Sequence, residues 1–215
     1  MENNILYINL CNYDSCIYEN FAKNIEKIQN SNGVIFDVRG YPTFEALSII
    51  SHFIKENVEL GNLLKPVYYF PNQENVKYNL AEKWQIVPAD SPQSKDMSKK
   101  NEYKEPLPIH IEKRVVFLAN ESAMSFAETF LDMMKQYKVG TIIGTATAGC
   151  NGDVTRFEMT GASFFMTYNK FLNRDGSRHN SIGVLPDINC EMKISDIQNN
   201  IDTQLKKAEE FIAKQ

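Results

Sequence analysis

Apolar runs of five or six residues alternate along this chain with longer stretches whose apolar residues recur every three or four positions. That alternation restricts the fold more than any single motif. ILYINL at 5–10 reads as a short buried strand. Residues 15–30 then set Tyr18, Phe21, Ile25 and Ile28 on one helical face, and Ser31, Asn32 and Gly33 stop that helix. VIFDV at 34–38 is a second strand, and a helix over about 43–57 carries Phe44, Leu47, Ile50 and Ile54 on one side. The order then recurs as strand 115–119, helix 123–137 and strand 141–143. Uniformly apolar strands separated by helices predict an α/β fold, with a mostly parallel sheet covered by helices on both faces.

Three stretches depart from this rhythm. Residues 71–110 hold several prolines and few aliphatics, and read as an extended excursion or hairpin with its tip near 91–102. Neither side of it has enough apolar residues for a separate core, so 1–215 is expected to be one domain. VTRFEMTGASFFMTYNKF at 154–171 reads as a hairpin turning at Thr160-Gly161. A last helix over about 196–213 carries Ile197, Ile201, Leu205, Ala208 and Ile212, with Ser195 and Gln198 placed to cap it.

Composition removes several functions. A net charge of -4 and a pI near 5.5 leave no concentrated basic face for nucleic acid. No apolar stretch approaches the ~20 residues that span a bilayer, and MENNILYINL lacks the features of a signal peptide. The cysteines at 11, 16, 150 and 190 have neither C-x-x-C nor zinc spacing and read as buried or partly buried small hydrophobes. The histidines at 52, 110 and 179 are scattered, so no metal and no cofactor is expected.

Chemistry in open α/β sheets gathers where strands end and helices begin, because free amides and the positive end of the helix dipole point there. Two junctions stand out, DVRGYPTFE after strand 34–38 and ANESAMSFAE after strand 115–119; GTATAGCNGD at 144–153 is a third loop, rich in small residues. In the second, Ser125 and Glu128 spell S-x-x-E, a capping box that needs no function to explain it. A hydroxyl at the start of a buried helix is also where an alkoxide or oxyanion is stabilised. The two roles are compatible.

Taken in order, DVRGYP (37–42), NESAMSFAE (120–128), GTATAGCNG (144–152) and GVLPDI (183–188) resemble the C-terminal (tail-specific) processing serine peptidases, and more closely their tricorn-like branch. The resemblance runs from about residue 5 to 213 and covers the peptidase core alone, without a PDZ-like domain. It implies a ClpP/crotonase-like ββα fold, a peptide or unfolded protein as substrate, further domains of the same protein outside this sequence, and work in the cell envelope or periplasm. Homo-oligomerisation is left open.

By position, the resemblance makes Ser125 the nucleophile, with the Phe126 amide as first oxyanion donor and the Thr43 amide as second, since Pro42 has no N–H. Cys150 stands where the Ser–Lys branch has its lysine, and Asn180 where the tricorn-like branch has its acid. The base is then expected from a histidine outside this chain or from His179, whose polar loop otherwise reads as solvated surface. His52 and His110 read as structural, and so does the Asp37–Arg39 pair. Cys150 is a lesser candidate nucleophile, in a loop whose amides would lower a thiol pKa. The isolated chain is expected to be feeble or inactive. The rival reading is a degenerate, non-catalytic relative that binds peptides or serves as a structural domain; a crotonase-type acyl-CoA enzyme is a remote third.

Overall fold

A computed structural model of the protein describes residues 4–11, 17–56, 58, 62–68, 82–86, 109–152, 154–167, 169–173 and 175–214. The strands are β1 (Ile5–Asn9), β2 (Gly33–Asp37), β3 (Asn62–Tyr68), β4 (Glu82–Ile86), β5 (Val115–Ala119), β6 (Thr141–Gly144), β7 (Val154–Met159), β8 (Ala162–Thr167), β9 (Lys170–Leu172) and β10 (Ile188–Asn189). The helices are α1 (Ile17–Lys23), α2 (Ile25–Gln29), α3 (Glu45–Ile50), α4 (Phe126–Gln136), α5 (Ile194–Gln198) and α6 (Thr203–Ala213).

The main sheet has the order β1-β2-β5-β6-β10 and is parallel at every pairing. Every residue of β2 and β5 is buried, as strands sandwiched between helices must be. One face packs Val34, Phe36, Val115, Phe117 and Ile142 under α1, α3 and α4. The other packs Ile5, Ile35, Val116, Leu118 and Ile143 under Ala208 and Ile212 of α6. The expected parallel sheet flanked by helices is therefore the architecture observed. A second sheet, β4-β3-β9, is antiparallel, and β7 with β8 forms a separate two-stranded ribbon.

Helix boundaries differ from the periodic reading. The first helix is interrupted at Asn24, and the last divides into α5 and α6. The cap of α6 is Asp202, whose carboxylate accepts the Leu205 amide at 2.9 Å, rather than Ser195. Most of the expected excursion at 71–110 lies outside the described residues; within it β4 pairs with β3.

Helix α4 is the most deeply set of the described helices. Phe130, Leu131 and Met134 have essentially no exposure, and Phe130 meets Phe117 edge to face. Truncating one such side chain to alanine would cost ~2–5 kcal/mol. Its first residues are thereby held rigidly against the sheet, which fixes whatever the preceding loop presents.

Candidate active site

Register brings three loops to one edge of the main sheet. Asp37 of β2 lies beside Leu118 of β5, and Ala119 beside Gly144 of β6. The segments 38–44, 120–125 and 145–152 therefore leave from neighbouring strand ends, the crevice where parallel sheets place their sites. They are also laced together. The Ala148 amide donates to the Ala123 carbonyl at 3.0 Å, and the Phe126 ring packs on Phe44 and Tyr41 with centroids 4.6 and 6.2 Å apart.

Ser125 ends the second loop and immediately precedes α4. Its backbone has φ 54° and ψ −115°, a conformation that side-chain-bearing residues rarely adopt and that costs ~1–3 kcal/mol. A sharp, strained strand-to-helix turn of this kind pushes a serine hydroxyl outward from the sheet. Ser125 is half-buried, not sealed in the core. The Ser125–Glu128 pair has capping-box geometry, yet the hydroxyl completes no cap hydrogen bond. The Glu128 amide instead donates to the Ser125 carbonyl at 2.9 Å, so the hydroxyl is left for other use. The Phe126 amide finds no acceptor among the described residues.

Glu128 does far more than cap. Fully buried, its carboxylate accepts from the Ser125 amide (3.2 Å) and the Cys150 amide (3.0 Å) on Oε2. On Oε1 it accepts from the Thr147 hydroxyl (2.7 Å) and the Gly149 amide (2.6 Å). One carboxylate thus ties the start of α4 to the loop 145–152, and charge-assisted bonds of this type are the strong ones. The same loop is bound to 181–184: Thr147 Oγ1 accepts the Val184 amide at 2.7 Å, and the Gly149 carbonyl accepts the Ser181 amide at 2.6 Å. Gly183, at φ +85°, sits so close that a Cβ would lie 2.3 Å from the Thr147 carbonyl oxygen. The S-x-x-E spacing identified Glu128, but nothing local in the sequence announced its partners twenty residues away.

The Thr43 amide donates to the Leu10 carbonyl at 3.1 Å, which removes it as the second oxyanion donor. Pinning the turn to the end of β1 has taken that N–H. In the same turn the Tyr41 amide has no acceptor among the described residues. Cys150 is exposed rather than buried, and its thiol is pushed up by desolvation and by the Glu128 charge, with the Ser125 amide pulling the other way. Those influences keep the thiol protonated, the opposite of an activated nucleophile.

His179 is 3% exposed, not the solvated side chain its polar loop suggested. Its Nδ1 lies 2.8 Å from Asn173 Oδ1 and its Nε2 2.9 Å from Asn151 Nδ2, which also donates to Thr129 Oγ1 at 2.8 Å. An amide N–H aimed at Nε2 assigns the proton to Nδ1. Burial lowers its pKa, with Glu128 opposing, so the ring is neutral. Asn180 donates to the Asn151 carbonyl and accepts the Phe171 amide at 3.1 Å. Thr129, one turn beyond Ser125, is therefore joined through Asn151 to His179, with Asn173 and Asn180 setting the orientation. No local pattern around Asn151 or Asn173 marks either for this role.

His52 and the charged turn are structural. His52 is buried, with Nδ1 2.8 Å from the Ile109 carbonyl and its ring against Phe21. Arg39 holds Asp37 through Nε (3.0 Å) and Nη2 (2.5 Å), and reaches Asp202 through Nη1 (2.9 Å) and Nη2 (2.7 Å). Tyr7 adds its hydroxyl to Asp37 at 2.7 Å. Among the described residues no group of three or more His, Cys, Asp or Glu is placed to hold a metal ion.

Comparison with known proteins adds the following. The sequence pattern of Peptidase family S41 matches residues 4–190. A protein of Saccharolobus solfataricus named Tricorn protease homolog is 35% identical over 106 residues, 48% of this chain and 10% of that protein. A candidate peptidase from Parabacteroides merdae superposes with a TM-score of 0.68 at 18% identity, over 99% of this chain and 62% of that one. Mature CPAF complexed with lactacystin gives 0.63 at 18% identity, over 98% and 50%. The chain spans a tenth of the curated relative's length and half to three-fifths of the two solved structures. At these identities the structures share its fold.

Proposed function

This chain belongs to peptidase family S41, and from that membership we propose that it is the core of a serine endopeptidase with Ser125 as nucleophile. The observation that carries the reading is the Ser125 backbone, bent to φ 54° ahead of α4, with no hydrogen bond closing on its hydroxyl and no acceptor for the Phe126 amide among the described residues. Strain of this kind persists only where its surroundings impose it, and it clusters at working sites.

In the proposed reaction the Ser125 Oγ bonds to the carbonyl carbon of a peptide while a base takes its proton. The carbonyl oxygen becomes an oxyanion held by the Phe126 amide at the positive end of α4. The Tyr41 amide replaces Thr43 as the donor that the 38–44 turn contributes. The C–N bond then breaks as the amine takes up the proton, and water releases the acyl group from Ser125. The base comes from outside these 215 residues, consistent with the share of its relatives that the chain spans. His179 would first have to release Asn151 from Nε2. The substrate is an extended peptide or unfolded protein segment, and the place of work the cell envelope; among the described residues no helix is long and apolar enough to cross a membrane.

Labelling with a fluorophosphonate tests the assignment. The protein carrying its remaining domains should form an adduct on Ser125 that Ser125→Ala abolishes, with little or none in the isolated chain. An intact protein in which Ser125 stays unlabelled would overturn the assignment.

A further inference from the structure

We propose that the β7–β8 ribbon is a dimerisation arm, one face of which mates with the same face of a second copy of this chain. Among the described residues the two strands pair only with each other. An isolated two-stranded ribbon is marginally stable in water at best unless something covers it.

Residues opposite one another across an antiparallel pair share a face. The register therefore sorts the ribbon into two sides. One is mixed: Arg156 pairs with Glu158 at 2.7 Å and lies over the Phe165 ring. The other consists of Thr155, Phe157, Met159, Ala162, Phe164 and Met166. Phe157 and Phe164 stack at its centre, 5.3 Å apart, and remain 43% and 40% exposed; Met159 and Met166 are 64% and 54% exposed. A contiguous apolar face of this kind marks an interaction surface.

The pattern on that face identifies its occupant. Each strand presents a small residue, a phenylalanine and a methionine in the same order: Thr155, Phe157, Met159 and Ala162, Phe164, Met166. Pairing sets Met159 beside Ala162 and Met166 beside Thr155, so the large corners lie on one diagonal and the small corners on the other. Turn a second copy over about an axis along the strands, and each Met159 falls on the other copy's Ala162, each Met166 on its Thr155. Turned about an axis across the strands, Met159 meets Thr155 and Met166 meets Ala162. Either way every methionine meets a small residue and the phenylalanine pairs meet in the middle. Self-matching about a two-fold axis is the requirement of an isologous dimer, and large-on-small contact is how packed layers interdigitate. A different partner would require no such repetition on both strands.

Sedimentation of the full chain should give twice the chain mass. Phe157→Asp with Phe164→Asp should halve it, whereas Phe165→Asp on the mixed side should leave the dimer intact. Because aspartates could disturb the ribbon itself, a second measurement mixes Met159→Cys chains with Ala162→Cys or Thr155→Cys chains, the exposed native Cys150 changed to serine in all. Oxidation should yield a disulfide-linked dimer in one of the two mixtures and not from Met159→Cys chains alone. A monomeric wild type, a dimer surviving both aspartates, or no mixed disulfide in either mixture would overturn the proposal. Ser125→Ala should associate as the wild type does, which keeps this test separate from that of the nucleophile.

Discussion

The Glu128 carboxylate accepts the Ser125 amide on one oxygen and the Gly149 amide on the other, so the proposed nucleophile and the loop facing it are positioned by a single buried side chain. Glu128→Gln keeps the shape but turns an NH2 group toward donors. It should cost about 2–3 kcal/mol of unfolding free energy in urea titrations, since bonds to a charged acceptor are lost and donors are left unpaired. Fluorophosphonate labelling of Ser125 should fall with it. A variant of wild-type stability would show that these bonds do not hold the loop.

Ser125→Gly separates stability from chemistry. Glycine adopts φ 54° without a Cβ clash, so the variant should unfold at higher denaturant, by about 1 kcal/mol, while losing all reactivity toward the fluorophosphonate. Unchanged or reduced stability would argue that the turn is relaxed.

Two buried groups give opposite pH signatures. His179 binds a proton less readily in the folded state than at its ordinary value of 6.5, because burial disfavours the cation. Its contribution is complete above 6.5 and is lost as pH falls below it, where the unfolded chain takes up the proton first. Burial instead raises Asp132 from 3.8 to about 6, with Gln136 pulling down. The folded state then holds that proton more tightly, so its contribution is present below 3.8 and disappears as pH rises through 6. Asp132→Asn should therefore melt higher than wild type above neutrality, the gap closing between 6 and 3.8. In that background the remaining loss of stability just below 6.5 should be flattened by His179→Gln; a profile unchanged by either substitution would rule out both assignments.

Arg39→Ala should destabilise the protein by about 3–5 kcal/mol in urea, because it leaves the buried Asp37 carboxylate without its cation. Arg39→Lys should recover only part of this, as an ammonium cannot reproduce two bidentate contacts at once. Full rescue by lysine would mean that charge alone matters.

The parts of this protein that follow from local pattern were legible in the sequence. β5 runs from 115 to 119 and the ribbon turns at Thr160-Gly161, because burial on both faces and a glycine turn each leave a short-range signature. Ser125 at a helix start was legible for the same reason. What escaped depends on distant partners. No pattern around residue 43 reveals that the Leu10 carbonyl takes its amide, and the polar run RDGSRHNS conceals a histidine buried between Asn151 and Asn173. Asp202, which caps α6, is held by Arg39, 163 residues earlier.

That last contact bears on how the molecule comes into being. A ribosome delivers residues 202–213 after every strand of the main sheet, yet Ala208 and Ile212 cover one of its faces and Asp202 completes the clamp on Arg39. Until that segment emerges, the sheet has a bare greasy side and Arg39, at the root of the turn carrying Tyr41, lacks its second carboxylate. The order of synthesis therefore acts as a safety catch, withholding a finished cleft until residue 213 has left the ribosome.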